Sequence, residues 1–346
     1  MDHHPEEPVA PDVEAFIREL PKVELHVHLE GSMRPELLLR LARRHRVAGI
    51  PTTPGELREW YAFTDFPHFI DVYLTSVQAL LDAEDFAELT ADVAAGLAAQ
   101  NVRYAEVHVS LFGHLMRGVD ARTVFDGIER GRRAAEAEHG IRLRWIPDFP
   151  GDYGVDSAER TLDATLRHGP DSVVGFGIGG IEVPRAPFAG VFGRARAAGL
   201  RSLPHAGENG GPDRVREALD LLGAERIGHG IDAARDPELL ARLRDEQVPV
   251  DVSPTSNLRT RAVAGLKDHP LPAMLEAGLL TTLNSDDPPM FGTDLLGEYR
   301  TAHRMGLGPA ELAGLARNGV HACYLDPAAK QSLLAEIDAV ASHHGA

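Results

Sequence analysis

Short apolar or β-branched runs alternate with longer amphipathic stretches along most of this chain of 346 residues. Such alternation is typical of strand–helix units arranged around a parallel sheet. Eight candidate strands lie at residues 23–28, 103–109, 143–149, 172–178, 202–205, 226–228, 249–252 and 280–284. Helical periodicity occupies residues 87–99, 124–138, 159–167, 188–198, 215–222 and 237–245. Eight strands with interleaved helices predict an α/β fold of the (β/α)8 TIM-barrel class.

The interval between the first two strands, residues 34–101, is too long for one crossover helix. It carries a compact helical pattern of apolar and aromatic side chains, namely Leu57, Trp60, Tyr61, Phe63, Phe66, Phe69 and Tyr73. We therefore expect a helical insertion after strand 1. Barrel active sites lie at the carboxyl ends of the strands, so the insertion can form a lid or an apolar wall there, with ordinary core packing as the alternative.

No linker rich in Pro, Gly or Ser divides the chain, so we expect residues 1–346 to form a single barrel domain. Residues 1–13 are acidic and proline-rich and are expected to be a flexible tail. Residues 328–346 are expected to form a terminal helix with a frayed end.

Charge and cysteine content narrow the classes of partner. Lys and Arg number 35 against 52 Asp and Glu, a net charge of −17, which disfavours nucleic acid as a partner. The single Cys323 excludes a disulfide within the chain and a Cys-x-x-Cys zinc site. We find neither a signal-peptide pattern at residues 1–12 nor an apolar run near ~18 residues, so we expect no membrane contact and a cytoplasmic location.

Unusual polar residues cluster where predicted strands end. Residues two apart in a strand point the same way, so His26 and His28 can share a metal ion. His205 and Asp286 end two further strands. Three histidines and a carboxylate can hold zinc with one position left for solvent, which predicts a metal site at this end of the barrel.

Three further polar residues have positions suited to acid–base chemistry. Zinc lowers the pKa of a bound water from ~15.7 toward ~7. Glu208 can then donate a proton to a substrate ring nitrogen, while His229 and Asp287 can hold and deprotonate the water. Each also has an ordinary structural explanation: Glu208 as a helix-start carboxylate, His229 as a buried histidine and Asp287 as a helix cap.

Five segments resemble the adenosine and adenine deaminase family of the amidohydrolase superfamily. They are PKVELHVHLEGS at residues 21–32, HAGE at 205–208, RIGHG at 226–230, SPTSN at 253–257 and NSDDP at 284–288. They occur in family order across nearly the whole chain. The resemblance implies a metal-dependent hydrolase barrel with one zinc ion per chain, bound by His26, His28, His205 and Asp286.

The same resemblance implies roles for the remaining residues. Glu208 protonates the purine ring, His229 orients and deprotonates the attacking water, and Asp287 contacts the water and a ring nitrogen. Gly180 and Glu30 are implied on the substrate side.

Two departures from the family pattern concern the substrate. Adenosine deaminases typically carry a segment like Gly-Ile-Asp-Leu-Ala-Gly-Asp-Glu after strand 4, whereas here Gly177 and Ile181 replace both aspartates and Gly180 and Glu182 are retained. Glu30 stands where most adenosine deaminases have an aspartate facing the ribose, a change also seen in adenine deaminases. The strand-4 segment, together with residues 253–257 and 287–294, looks most like the actinobacterial branch that includes aminodeoxyfutalosine deaminases.

The resemblance thus implies a zinc-dependent aminohydrolase that converts the 6-amino group of an adenine nucleoside, of adenosine or aminodeoxyfutalosine type, to the 6-oxo product with release of ammonia. Free adenine, another aminopurine, and a catalytically silent purine-binding barrel stay open as alternatives. Imidazole and carboxylate ligands also accept iron, cobalt or nickel. The expected partner is a small aminopurine, and the oligomeric state cannot be read from the sequence.

Other site classes lack their parts. The Gly175–Gly180 segment fits G-x-G-x-x-G, but Pro184 and Pro187 interrupt the helix that a dinucleotide site needs. Zinc deaminases with a Pro-Cys-x-x-Cys motif need two cysteine ligands, and this chain has one cysteine, so that class is excluded. Dinuclear amidohydrolases place a lysine at the end of strand 4, and Lys22, Lys267 and Lys330 are all remote from that position in sequence.

Overall fold

The computed structural model describes residues 9–346. Its strand segments are β1 (Lys22–His28), β2 (Val102–Val109), β3 (Arg142–Pro150), β4 (Gly175–Gly179), β5 (Arg201–Ser202), β6 (His205–Ala206), β7 (Ile227–His229), β8 (Val250–Val252) and β9 (Thr281–Leu283). All the strand pairings among them are parallel, and they form a sheet in the order β1–β5 and another in the order β6–β9.

The two short segments β5 and β6 occupy one strand position and join the two sheets. Leu203 N donates to Phe176 O of β4 at 3.0 Å, and Pro204 O accepts from Gly228 N of β7 at 2.9 Å. Proline has no N–H to contribute to a ladder, and the regular strand is interrupted there. The predicted fifth strand is therefore present as two pieces.

The barrel closes through the residues after β9. Asp286 N donates to His26 O at 3.0 Å, and His28 N donates to Asp286 O at 2.8 Å. These bonds pair the chain after β9 with β1 and complete a ring of eight strand positions. The fold is the predicted (β/α)8 barrel, and its closure places Asp286 directly beside two histidines.

Helices surround the barrel and follow the strands. They are α1 (Pro11–Glu19), α2 (Pro35–His45), α3 (Pro54–Tyr61), α4 (Phe66–Ser76), α5 (Ala83–Ala99), α6 (Leu111–Met116), α7 (Ala121–His139), α8 (Gly154–His168), α9 (Ala189–Ala197), α10 (Pro212–Glu217), α11 (Pro237–Asp245), α12 (Pro254–Arg259), α13 (Leu271–Glu276), α14 (Pro288–Phe291), α15 (Leu295–Arg304), α16 (Pro309–Ala322) and α17 (Pro327–His343). Many begin with proline, whose fixed φ and missing N–H suit the first helical turn. Short 3₁₀ turns and one π turn, Ala218–Leu222 after α10, complete the helical segments.

The predicted insertion after strand 1 consists of α2 to α5. Side-chain caps set some of its helix starts: Thr53 and Glu56 form a reciprocal capping box at α3, and Asp82 and Asp85 form one at α5. The insertion contributes large buried side chains, including Leu57, to the main hydrophobic core.

A helix lies close to each end of the described chain. Residues 1–8 of the predicted flexible tail lie outside the described residues. Pro11 begins α1, so the tail does not extend to residue 13 as predicted. Residues 327–343 form the expected terminal helix α17. Within residues 9–346, every helix is too short or too polar to cross a membrane.

Candidate active site

The imidazoles predicted as functional converge at the carboxyl ends of the barrel strands. His26 and His28 lie on β1, His205 on β6 and His229 at the end of β7. The ring centroid of His26 lies 4.4 Å from that of His205 and 4.8 Å from that of His229. Three strand positions therefore direct four imidazoles to one point.

Asp286 adds a carboxylate to this cluster. Its Oδ1 lies 3.3 Å from His28 Nε2 and 3.7 Å from His26 Nε2. His205 Nε2 lies 3.3 Å from His28 Nε2. Asp286 Oδ2 accepts a hydrogen bond from Ser256 Oγ at 2.6 Å, which orients the carboxylate.

The polar atoms of the cluster fit a bound cation. His26 is fully buried, and in the described part of the chain neither of its ring nitrogens has a hydrogen-bond partner. An unpaired buried polar atom carries a substantial desolvation cost, which a metal–nitrogen bond would offset. The ligand atoms of His26, His28 and Asp286, and likewise those of His26, His205 and His229, lie within 4.8 Å of one another. Imidazole and carboxylate donors at this spacing suit zinc.

Burial keeps two of the proposed ligand imidazoles, those of His26 and His205, neutral. It holds the pKa of His26 well below its usual value, and the neighbouring imidazoles add to the effect. Burial likewise lowers the pKa of His205. A neutral imidazole has the free lone pair that metal binding requires, so both residues are in the ligating form.

Glu208 lies on the loop after β6, with its carboxylate facing His229. Glu208 Oε1 accepts a hydrogen bond from Thr260 Oγ1 at 2.9 Å, and Oε2 lies 3.8 Å from His229 Nε2. Burial raises the pKa of Glu208 above its usual value. A carboxyl group with a raised pKa can stay protonated and donate a proton near neutral pH.

Glu182 fixes the backbone that presents Glu208. Its carboxylate accepts hydrogen bonds from the N–H groups of Gly207 at 2.8 Å, Glu208 at 2.7 Å and Asn209 at 2.8 Å. Successive N–H groups that converge in this way form an anion-binding nest. Glu182, the glutamate retained in the segment after β4, therefore fixes the loop that follows the neighbouring strand β6.

His229 and Asp286 both have left-handed backbone conformations, with φ of 62° and 63°. Non-glycine residues in this region carry strain, which is often found at functional sites. The side chain of His229 is held by Asn257, whose Nδ2 lies 3.2 Å from His229 Nδ1. Asn257 Oδ1 in turn lies 3.2 Å from His269 Nε2, so Asn257 and His269 together fix the orientation of the His229 ring.

Asp287 lies beside the cluster and is also buried. Its Oδ1 has no hydrogen-bond partner in the described part of the chain. Burial raises the pKa of Asp287 well above its usual value. The Asp287 side chain also lines the cavity, so its carboxyl group is able to contact a polar group of a ligand.

The two residues predicted on the substrate side have different positions. Gly180 lines the cavity in a left-handed conformation, with φ of 72°. Glu30 is fully buried one layer behind the cavity wall. Its Oε1 lies 2.8 Å from His114 Nε2 and accepts a hydrogen bond from the backbone N–H of Ser110 at 3.2 Å. The structure thus brings Gly180, but not Glu30, to the surface of the cavity.

A cavity of about 200 Å³ opens above the histidine cluster. The inner end of the cavity is polar, with His205, Glu208, His229, Asp286 and Asp287 in its wall. The insertion supplies an apolar side wall made by Phe66, Phe69, Ile70, Tyr73 and Leu74. Of the aromatic residues considered from the sequence, Trp60, Tyr61 and Phe63 lie outside this wall. The insertion is therefore a wall of the cavity.

Two buried residues at the site were missed by the sequence reasoning. His108 lies one residue before the end of β2 and Asp148 lies near the end of β3, and their Nδ1 and Oδ2 atoms are 3.1 Å apart. Both follow the rule that revealed the others, polar residues at the carboxyl ends of predicted strands. Neither lies in the five segments that carry the family resemblance.

Comparisons with known proteins show which family and fold this chain resembles. Residues 21–340 match the family model described as adenosine deaminase. An aminodeoxyfutalosine deaminase of Streptomyces avermitilis is 51% identical over 334 residues, which cover 94% of this chain and 93% of that protein. The crystal structure of an adenine deaminase from Arthrobacter aurescens superposes with a TM-score of 0.90 at 37% identity and covers 93% of this chain and 99% of that one. An amidohydrolase from Burkholderia ambifaria with bound zinc superposes with a TM-score of 0.89 at 28% identity, covering 99% of this chain and 97% of that one.

Proposed function

This chain belongs to the adenosine deaminase family, and from that premise we propose that it is a zinc-dependent aminohydrolase of an adenine nucleoside, of adenosine or aminodeoxyfutalosine type. The reaction replaces the 6-amino group by a 6-oxo group and releases ammonia. The observation that carries the proposal is the convergence of a metal-ligand set with Glu208 and His229 at the inner end of one cavity.

His26, His28, His205 and Asp286 are the residues to which we assign one zinc ion per chain. Their donor atoms are buried and close together, and the ring nitrogens of His26 lack protein partners in the described residues. A structural relative contains zinc, which supports the choice of metal. When bound, zinc lowers the pKa of water toward ~7 and so supplies a hydroxide nucleophile at neutral pH.

Glu208, His229 and Asp287 divide the proton transfers. His229 takes one proton from the attacking water as its oxygen adds to C6 of the purine. Glu208 gives its proton to the adjacent ring nitrogen, so the six-membered ring carries no net charge after addition. Asp287, whose side chain lines the cavity, holds the water and a ring nitrogen in place.

The second half of the reaction restores both residues. The proton held by His229 passes to the amino group, which leaves as ammonia when its bond to C6 breaks. The remaining hydroxyl proton on the C6 oxygen passes to Glu208 as the carbonyl forms. One water is consumed and one ammonia released, and Glu208 and His229 regain their starting protonation states.

The outer end of the cavity supports a substrate larger than the purine ring. Met116, Tyr153 and Ile181 line this end and are 43%, 46% and 56% exposed. Exposed apolar side chains at the mouth of a cavity mark a surface that a ligand can cover. A nucleoside with its ring at the inner end would place its substituent against them.

Free adenine is the second candidate substrate. The close superposition on an adenine deaminase favours it, as does the glutamate at position 30, which stands where most adenosine deaminases carry an aspartate. The buried position of Glu30 behind Ser110 removes a carboxylate from the cavity wall that would otherwise face a sugar.

The test is ammonia release, with ultraviolet absorbance as a second readout, from zinc-loaded protein with adenosine, adenine and aminodeoxyfutalosine. We expect turnover of a nucleoside and a loss of at least about 100-fold in kcat for Glu208→Gln, with metal content unchanged. Glu276→Gln, at an exposed glutamate on α13, is the control and should retain wild-type activity. Turnover of adenine alone would select the second candidate, and zinc binding without turnover of any aminopurine would contradict the proposed activity.

A further inference from the structure

Asp148 and His108 form a buried pair beside the proposed ligand set that has no part in the reaction derived above. We propose that Asp148, backed by His108, is a positioning residue that orients the imidazole of His28 for metal binding. The inference rests on the proposed zinc-dependent function and adds residues on two further strands to the metal site.

The three side chains lie on adjacent strands β1, β2 and β3. His28 and His108 are register partners in the β1–β2 pair. Asp148 Oδ2 lies 3.1 Å from His108 Nδ1 and 3.8 Å from His28 Nδ1, so the carboxylate is placed between the two imidazoles. Asp148 is 3% exposed and His108 is 2% exposed, which excludes solvent as the main partner of either group.

The two ring nitrogens of His28 face opposite partners. Nε2 faces the ligand set, 3.3 Å from Asp286 Oδ1, while Nδ1 faces Asp148. A metal-ligating histidine commonly directs its other N–H at a carboxylate, which fixes the tautomer and ring orientation and raises the basicity of the ligating nitrogen. His26 and His205 have no hydrogen-bond partner at Nδ1 in the described residues, so within the proposed ligand set this arrangement belongs to His28.

Gly177 makes room for this carboxylate. Asp148 and Gly177 are register partners in the β3–β4 pair, and a Cβ at position 177 would lie 3.2 Å from Asp148 Cβ and 3.5 Å from His108 Cε1. Position 177 is where the typical adenosine deaminase segment carries its first aspartate. The carboxylate that this chain lacks on strand 4 is therefore present on the neighbouring strand, at the paired position.

The same three side chains could in principle hold a second cation, because their ligand atoms lie within 4.8 Å of one another. That arrangement would require His28 to bind a metal through both ring nitrogens, and hence to lose both of its N–H protons. The observed approach, with the Nδ1–H of His28 directed at the Asp148 carboxylate 3.8 Å away, needs no such loss. The geometry therefore favours the positioning role over a second metal.

Metal affinity tests the inference directly. Zinc dissociation constants are measured by chelator competition for wild type and Asp148→Asn, and the visible absorption of the cobalt-substituted proteins reports the ligand geometry. We expect Asp148→Asn to bind zinc about 10- to 100-fold more weakly and to alter the cobalt spectrum. Asp85→Asn is the control, since Asp85 is a buried aspartate 2.8 Å from His45 Nε2, remote from the cavity, and its loss should lower stability without changing zinc affinity.

Relocation of the carboxylate provides a second test. Asp148→Gly combined with Gly177→Asp exchanges the two register partners, and we expect it to recover most of the zinc affinity that Asp148→Gly alone loses. Circular dichroism of each variant confirms that the barrel is folded.

The outcomes separate this inference from the function on which it rests. Wild-type protein that binds no metal would overturn both. Stoichiometric zinc in wild type with an affinity within twofold in Asp148→Asn and an unchanged cobalt spectrum would overturn the inference alone. Two zinc ions in wild type and one in Asp148→Asn would also overturn it, because Asp148 would then be a ligand.

Discussion

Asp287 Oδ1 occupies the space that a side chain on Gly31 would need, because a Cβ built on Gly31 would lie 1.5 Å from that oxygen. Gly31 is in the turn after β1, and Asp287 directly follows the residue that closes the barrel. Contacts below 3.0 Å are essentially never made by a real Cβ. The position of the Asp287 carboxylate therefore depends on a glycine from the opposite end of the sequence.

Gly31→Ala is expected to displace Asp287 and reduce kcat by roughly 100-fold, since a displacement near 1 Å in an active site has this order of effect. The measurement is steady-state deamination with the preferred aminopurine, together with the zinc content of the purified variant. Gly96→Ala is the matched control, because a Cβ at position 96 of α5 meets no atom within 4 Å. Wild-type turnover by Gly31→Ala would contradict the role given to Asp287.

Removal of metal should destabilise the fold, since it leaves the buried nitrogens of His26 unpaired. A ligand at about 1,000 times its Kd adds about 4 kcal/mol to the free energy of unfolding. We expect a chelator to lower the Tm by at least about 5 °C and to abolish activity, and added zinc to restore both. The Tm of His26→Ala should no longer respond to zinc, whereas that of His139→Ala, at an exposed histidine on α7, should respond as in wild type.

Tyr153 provides a test of the outer end of the cavity. Its side chain is 46% exposed and its ring lies 5.6 Å from that of Phe112, in an edge-to-face arrangement. Covering this apolar surface with a substrate should contribute about 1 kcal/mol. We expect Tyr153→Ala to raise the KM for a nucleoside substrate about fivefold and to leave the KM for adenine within twofold. Leu221→Ala, at an exposed apolar residue outside the cavity, is the control. Equal effects on both substrates would contradict a substituent-binding role.

The strands could be predicted because a buried parallel strand requires a short apolar run, and eight such runs stand between turn residues. What the sequence did not reveal was how individual strands begin or break. The fifth is interrupted at Pro204, and the fourth starts at Gly175 rather than 172, with Val173 making only an isolated bridge to Trp145. These details depend on which neighbour supplies each hydrogen bond.

The same contrast applies to the site. His26, His28 and Asp286 could be predicted because strand periodicity fixes which side chains share a direction. The contact of Asp148 with His108 depends on register between strands, which a single strand does not encode. Glu30 lies in a turn, where direction follows from tertiary packing, and its partners Ser110 and His114 lie about 80 residues away.

Glu298 is a buried carboxyl group whose protonation should affect stability. It accepts hydrogen bonds from Thr255 N at 3.1 Å and from Thr293 Oγ1 at 2.7 Å, and burial raises its pKa from 4.5 to about 7. Between these two values the folded protein holds a proton that the unfolded chain has released. The free energy of unfolding therefore falls as pH rises through this window, by up to about 3 kcal/mol from this group.

Glu298→Gln should remove this dependence, because glutamine keeps an oxygen for Thr255 N–H and can direct its amide at the Thr293 hydroxyl without becoming charged. We expect the variant to match wild type near pH 4.5 and to exceed it by up to about 3 kcal/mol at pH 8, as measured by urea unfolding of both proteins in the same chelator-containing buffer. Glu276→Gln controls for the loss of a surface charge. A stability difference between the two proteins that does not grow with pH would show that Glu298 is already ionised in the folded protein, and would contradict this prediction.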